Sequence, residues 1–210
     1  MLHGYMPLSH PLLSRQPKSS QPALPLLTGL PELRLAQARV HEACGPARTT
    51  FALWLAAHTS GPLLWIAPGW AGAHLNSDGA HGWIDPGRLV FVSPRRTEDL
   101  LWTMEEVLRA GATALAVVDL PALPTLTQVR RMHLAAEAGA REGPQPCTGL
   151  LLTPGTGGAP GVETRWQLDP SHAGGQQIWR LERRRARTAP AKGWDIYRPR
   201  ATADLQLKSA

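Results

Sequence analysis

The residues Gly45-Pro46-Ala47-Arg48-Thr49-Thr50 join a short strand candidate, Val40 to Cys44, to a helical segment. At such a strand-to-helix turn an α/β protein binds phosphate, through backbone N–H groups and the helix N-terminus. A working phosphate loop reads G-x-x-x-x-G-K-[ST]: its backbone wraps the phosphates, its lysine reaches the β and γ groups, and its hydroxyl holds magnesium. Here only Gly45, Pro46 and Ala47 precede Arg48-Thr49-Thr50, and the second glycine and the lysine are missing. So short a turn cannot encircle a β-phosphate. Two readings fit this degenerate P-loop. It is a tight turn with Thr49 or Thr50 capping the helix, or a helix N-terminus holding a lone anion weakly, with Arg48 standing where the lysine would be.

Asp119 ends the apolar stretch Leu115-Ala116-Val117-Val118, and Pro121 and Pro124 follow it. That is either the place of a Walker-B aspartate, facing magnesium through water, or a strand-end carboxylate capping a turn. His74 and His81 share a glycine-rich loop with Asp78 and Asp85, which spells solvated polarity rather than convergent metal ligands. Neither Ser93 nor Ser171 lies in a G-x-S-x-G elbow. Cys44 and Cys147 are far apart with no CxxC pairing, so the sequence encodes neither a disulfide scaffold nor a zinc site. No arrangement for nucleophilic catalysis can be assembled. The expectation is no enzyme, no metal and no cofactor.

The charge is concentrated. Residues 1–178 hold 13 Lys+Arg and 13 Asp+Glu, while residues 179–210 hold 9 basic and 3 acidic, which accounts for the whole net charge of +6. Arg180, Arg183, Arg184, Arg185 and Arg187 form the main run, followed by Lys192, Arg198 and Arg200. Such a segment attracts nucleic acid, anionic lipid or an acidic protein surface through the same field. It also fits a solvated tail. Phosphate contact would weaken steeply with salt. Eight tryptophans accompany it. Trp54, Trp65 and Trp102 fit core faces, and Trp166 and Trp179 fit burial under the sheet. Trp194, flanked by Lys192-Gly193 and Asp195, reads as the contact residue of the group.

These groups need a scaffold. Strand patterns fall at Val40 to Cys44, Leu63 to Ala67, Leu89 to Ser93, Thr113 to Asp119 and Thr148 to Thr153. Helical patterns fall at Thr49 to His58, Thr97 to Ala110 and Thr125 to Ala138. The stretch 68–88 reads mostly as loop. Arg165 to Leu168 and Gln177 to Arg183 read as a closing antiparallel pair. The alternation means an α/β domain with a mainly parallel sheet flanked by helices, whose ligands belong at the C-terminal strand ends. Residues 1–35 carry six prolines and one acidic residue, Glu32, and read as a flexible arm. Residues 36–188 read as the core, and 189–210 as a basic tail. No apolar run approaches membrane-spanning length, and no secretory signal is apparent, so a cytoplasmic protein is expected.

Arg39-Val40-His41-Glu42-Ala43-Cys44-Gly45-Pro46 with Thr49-Thr50 resembles the start of a RecA recombinase core with a shortened nucleotide loop. The helix end at Arg109 to Ala112 and the strand to Asp119 resemble the Walker-B strand of that core. Leu150 to Thr153, the loop 154–162 and Thr164 to Leu168 resemble the second DNA-binding loop and its flanking strands. Val40 to Arg48, Ser93-Pro94-Arg95-Arg96-Thr97-Glu98-Asp99-Leu100-Leu101-Trp102 and Trp179-Arg180-Leu181-Glu182-Arg183 are similar, more closely, to the ImuA family of RecA-like mutagenesis accessory proteins. That resemblance implies a non-catalytic scaffold of a damage-induced translesion-synthesis complex. Its partners would be RecA, an ImuB-type inactive Y-family polymerase relative and, indirectly, an error-prone replicative-type DNA polymerase. The arm or core edge would meet RecA, and the tail the polymerase-like partner, with DNA as a secondary ligand. A DNA-binding module and a nucleotide-dependent RecA-type ATPase are the alternatives, and a RecA-like cell-division inhibitor is a weaker one.

Overall fold

A computed structural model describes residues 22–70, 75–199 and 205–207. Nine strands build one sheet, and two short ones form a separate hairpin. In chain order the strands are β1 (Ala23–Pro25), β2 (Arg34–Ala36), β3 (Val40–Cys44), β4 (Leu63–Ile66), β5 (Leu89–Val92), β6 (Leu115–Asp119), β7 (Thr148–Leu152), β8 (Thr164–Pro170), β9 (Gln177–Ala186), β10 (Lys192–Arg198) and β11 (Gln206–Leu207). The helices are α1 (Arg48–Ala56), α2 (Ser77–Ala80), α3 (Thr97–Ala110) and α4 (Leu126–Glu142). The large sheet has the order β11-β10-β9-β8-β3-β7-β6-β4-β5. From β8 to β5 all neighbours are parallel, and from β8 to β11 all are antiparallel. The protein is thus α/β with a large, mostly parallel central sheet flanked by helices.

Period-two alternation explains why the central strands read as unbroken apolar runs. In β6, Leu115 and Val117 face one core while Ala116 and Val118 face the other. The first core lies under α1, where Phe51, Trp54 and Leu55 meet Trp166, Trp179 and Leu181. The second lies under α3 and α4, where Leu100, Met104 and Leu108 meet Val129, Met132 and Ala136. Thr125 caps α4 with a full capping box to Gln128, which fixes where that helix starts. The sequence suggests an end before Gly139, yet α4 runs on to Glu142. Gly139 serves close approach instead: a Cβ there would lie 2.1 Å from the Leu108 carbonyl oxygen.

Three sequence expectations are corrected. The first 21 residues of the expected arm lie outside the described residues, but the rest of it is core. Leu24, Leu26, Leu27, Leu33 and Leu35 are all buried, because Pro22 and Pro31 lie outside the two short strands and Pro25 only ends the first. The expected tail from 189 is largely sheet. Trp194 and Ile196 alternate with exposed Asp195 along β10 and turn inward, so Trp194 is a core residue at 6% exposure, not a contact residue. Trp102, expected in the core, is 60% exposed, because it sits almost opposite Leu100, Met104 and Leu108 on the helical wheel of α3. Trp166 and Trp179 are buried, as their pattern suggests.

Candidate functional site: a closed corner at the C-terminal strand ends

The turn from β3 to α1 reaches the place where a parallel sheet offers backbone donors to a ligand. Here the chain itself takes those donors. Gly45 N–H donates to the Gly155 carbonyl at 3.0 Å, and Ala47 N–H donates to the Leu168 carbonyl at 3.1 Å. Pro46 has no N–H, and Arg48 N–H turns back to the Gly45 carbonyl at 3.2 Å. Gly45 adopts φ +87°, and a Cβ on it would come within 2.7 Å of the Leu168 oxygen. The turn is therefore pressed onto the end of β8 with no space for a phosphate between them.

The expected threonine cap does not form. Ala47 is the N-cap without a side-chain bond, and Thr49 and Thr50 are already inside α1. Arg48 becomes the first helical residue, which sets a cation at the positive end of the helix dipole. Asp119 answers it from the end of β6, with its Oδ1 3.4 Å from Arg48 Nη2. Burial raises the pKa of Asp119 above its ordinary value, and the attraction of Arg48 offsets only part of that rise. The two residues at the expected lysine and Walker-B places are thus brought together, and each occupies the other.

Glu42, inside β3, is fully buried and carries the neighbouring loop. Its Oε1 accepts from Thr153 Oγ1 at 2.7 Å, from Gly158 N–H at 2.8 Å and from Ala159 N–H at 3.0 Å. Its Oε2 accepts from Arg165 Nε at 2.5 Å, and Arg165 Nη2 donates to the Ala159 carbonyl at 3.0 Å. The loop 154–162 is therefore fixed through its own backbone donors, which point inward instead of toward a ligand. Cys44 lies beside it, its thiol pushed up to about 11 by burial and then by Glu42, so it is an inert core group. Cys147 is likewise pushed up to about 12 by burial. A carboxylate in a five-residue strand between His41 and Ala43 is the visible signal for Glu42. Its partners lie 111 to 123 residues away.

The basic run is largely paired within the fold, much of it at the surface. Arg180 pairs with Asp195 at 3.1 Å, Arg184 with Glu182 at 3.1 Å and Arg187 with Glu163 at 3.4 Å. Arg183 is only 7% exposed, lying between Trp166 and Trp194 at 5.7 and 5.3 Å from their ring centroids. Its guanidinium donates to the carbonyls of Pro190 and Glu32. Lys192 and Trp194 Nε1 both donate to the Glu32 carboxylate, which lowers the pKa of Glu32. Arg198 stacks on Trp83 at 3.8 Å and donates to the Gly82 carbonyl. Arg185 has no ion-pair partner among the described residues, and Arg200 lies outside them. The run therefore clamps the N-terminal hairpin and closes the sheet.

Elsewhere, Asp85 caps a turn through Gly87 N–H, and Asn76 caps α2. His74 lies outside the described residues, and no group of three or more metal-ligating side chains occurs among the described ones. Among them, no helix is long and apolar enough to cross a membrane. Compared with protein-family models and with curated proteins, the chain matches none.

Proposed function

We propose that this chain is a RecA-like, non-catalytic accessory and scaffold protein of a damage-induced translesion-synthesis complex, acting in the cytoplasm on RecA and an ImuB-type inactive polymerase relative. The observation that carries the non-catalytic part is the closed corner. Gly45 and Ala47 donate to the chain's own carbonyls, and Arg48 and Asp119 neutralise each other. Nucleotide binding would require breaking all of these contacts. The translesion context rests on the resemblance of the segments around Glu42, Arg95 and Trp179.

Strand β5 supports a core-edge contact with RecA. It is the last strand of the sheet, and Val90 and Phe91 on its two faces are 46% and 45% exposed. It carries no charge, proline or bulge of the kind that shields an edge. For the polymerase-like partner, the exposed arginines of β9 offer the contact, with Arg185 the one cation there lacking an ion pair among the described residues.

The test uses the full chain, because cutting after Ser171 would remove Trp179, Leu181, Trp194 and Ile196 from the core. Titration calorimetry with millimolar ATP and magnesium should give no heat. Tagged protein from DNA-damaged cells should recover RecA and a Y-family-like polymerase. Phe91→Lys should lose the former, and Arg184→Glu with Arg185→Glu the latter. Heat with ATP, or recovery of nucleic acid with neither protein, overturns the reading in favour of an ATPase or a DNA-binding module.

A further inference from the structure

The N-terminal hairpin is clamped against β9 and β10, yet it does not fill the space beside them. On β8, Thr164 and Trp166 share one face, and across the ladder they pair with Ala186 and Arg183 of β9. On the hairpin, Ala23 pairs with Ala36, and Arg34 lies on the same face of β2 as Ala36. All of these residues line one cleft of about 400 Å³. The methyl groups of Ala23, Ala36, Ala186 and Ala189 are too short to close it.

Arg183 is the unusual member of this lining. It is only 7% exposed, yet no carboxylate forms an ion pair with it among the described residues. Its Nε donates to the Pro190 carbonyl and its Nη1 to the Glu32 carbonyl, each at 3.1 Å. A guanidinium carries five N–H donors, so those on Nη2 still have no acceptor among the described residues. Burial draws its pKa below the ordinary value, and Glu32 offsets part of that. A buried cation is ordinarily matched by a carboxylate.

The other charges of the cleft show which sign is wanting. The Glu32 carboxylate accepts from Lys192 Nζ at 2.9 and 3.0 Å and from Trp194 Nε1 at 3.0 Å. Glu163 pairs with Arg187 at 3.4 Å and with Arg39 at 3.9 Å. Arg34 is exposed, and its side chain has no hydrogen bond or ion pair among the described residues. Both carboxylates of the cleft are therefore matched, and both guanidiniums lack an anion.

We propose that this cleft binds a small organic monocarboxylate. The carboxylate accepts from Nη2 of Arg183 at the floor and from the guanidinium of Arg34 at the rim, and the apolar body lies against Trp166 and the alanines. A volume of about 400 Å³ is of the size that small-ligand sites have. A phosphate dianion fits less well, because Glu32 and Glu163 repel its second charge. This inference rests neither on the closed corner nor on the translesion reading.

Benzoate titrated into the full chain, labelled with nitrogen-15 at tryptophan, tests it. The indole N–H signals of Trp166 and Trp194, the two rings beside Arg183, should shift saturably with a Kd of about 1 mM or tighter, while that of exposed Trp102 stays in place. Benzamide, of the same shape without the charge, and inorganic phosphate should leave all three signals unmoved. Arg34→Ala should weaken binding at least about tenfold with the unfolding midpoint unchanged. Ala186→Leu, which fills the cleft, should abolish it. Both variants keep Arg183, so the hairpin stays clamped. No saturable shift by about 20 mM benzoate, an equal response to benzamide or phosphate, or wild-type affinity in either variant overturns the proposal.

Discussion

Arg48 and Asp119, 71 residues apart in sequence, meet at 3.4 Å across the C-terminal end of the sheet, at the corner where a parallel α/β protein would hold a phosphate. The pair is asymmetric. Arg48 sits at the positive end of α1, with its Nε buried and without a hydrogen-bond partner among the described residues. Asp119 already has a raised pKa, so it accepts a proton readily once its partner is gone. Asp119→Ala should therefore cost the fold about 1–2 kcal/mol, and Arg48→Ala clearly less. Urea unfolding of the two variants side by side checks this, and the opposite order would show that the corner is not held by this ion pair.

Glu42→Gln should be the most damaging single-atom change in the protein. It removes the only carboxylate paired with Arg165 among the described residues and sets an amide N–H₂ against that guanidinium, where Glu42 is fully buried and Arg165 mostly so. A loss of about 3–5 kcal/mol is expected, the usual cost of leaving a buried charge unpaired. The loop 154–162 should become cleavable by protease before the rest of the chain. If the loop stays protected while the midpoint falls, Glu42 supports the sheet and not the loop.

Gly45→Ala and Gly61→Ala separate two sources of strain. Both residues have positive φ, at +87° and +73°, but Gly61 has no atom near an added Cβ, whereas Gly45 would meet the Leu168 oxygen. Gly61→Ala should cost roughly 1–2 kcal/mol, from conformation alone. Gly45→Ala should cost about 2 kcal/mol more, because it also strains the Ala47 to Leu168 hydrogen bond. Equal losses in thermal unfolding would mean that the turn is not pressed against β8.

How much of this could be read along the chain follows from the range of each interaction. The strands β3, β4, β5, β6 and β7 and the helix α3 announce themselves through local periodicity, and Thr97 to Ala110 is found at its observed bounds. The hairpin β1–β2 is hidden because proline density outweighs the alternation of Leu33 and Leu35. Strand β10 is hidden because Gly193 and Asp195 interrupt what is in fact an inward pair, Trp194 and Ile196. The basic run is visible as charge, but its pairing with Glu32, Glu163 and the indoles exists only once β8, β9 and the hairpin are side by side. Glu42 is a carboxylate in a strand until Thr153 and Arg165 arrive beside it.

His41 makes a last test, in which the direction of the pH effect is fixed by the hydrogen bonds. Its Nε2 lies 2.9 Å from the Ala36 carbonyl, so that nitrogen must carry the proton. Its Nδ1 then accepts from the Thr164 hydroxyl at 2.7 Å, and that hydroxyl in turn accepts from Trp166 Nε1. The ring is fully buried and neutral, and burial pushes its pKa down to about 4 from the usual 6.5. His133 is lowered as well, again chiefly by burial, and reinforces the effect. Above pH 6.5 neither the folded nor the unfolded chain protonates His41. Below it, the unfolded chain binds a proton that the folded one refuses, so stability falls as pH drops toward 4, by up to about 3 kcal/mol. His41→Gln keeps a donor for Ala36 but has nothing to titrate. Its unfolding free energy should therefore fall less than the wild type's between pH 7 and pH 4.5. Parallel curves for the two proteins would place the acid sensitivity elsewhere in the fold.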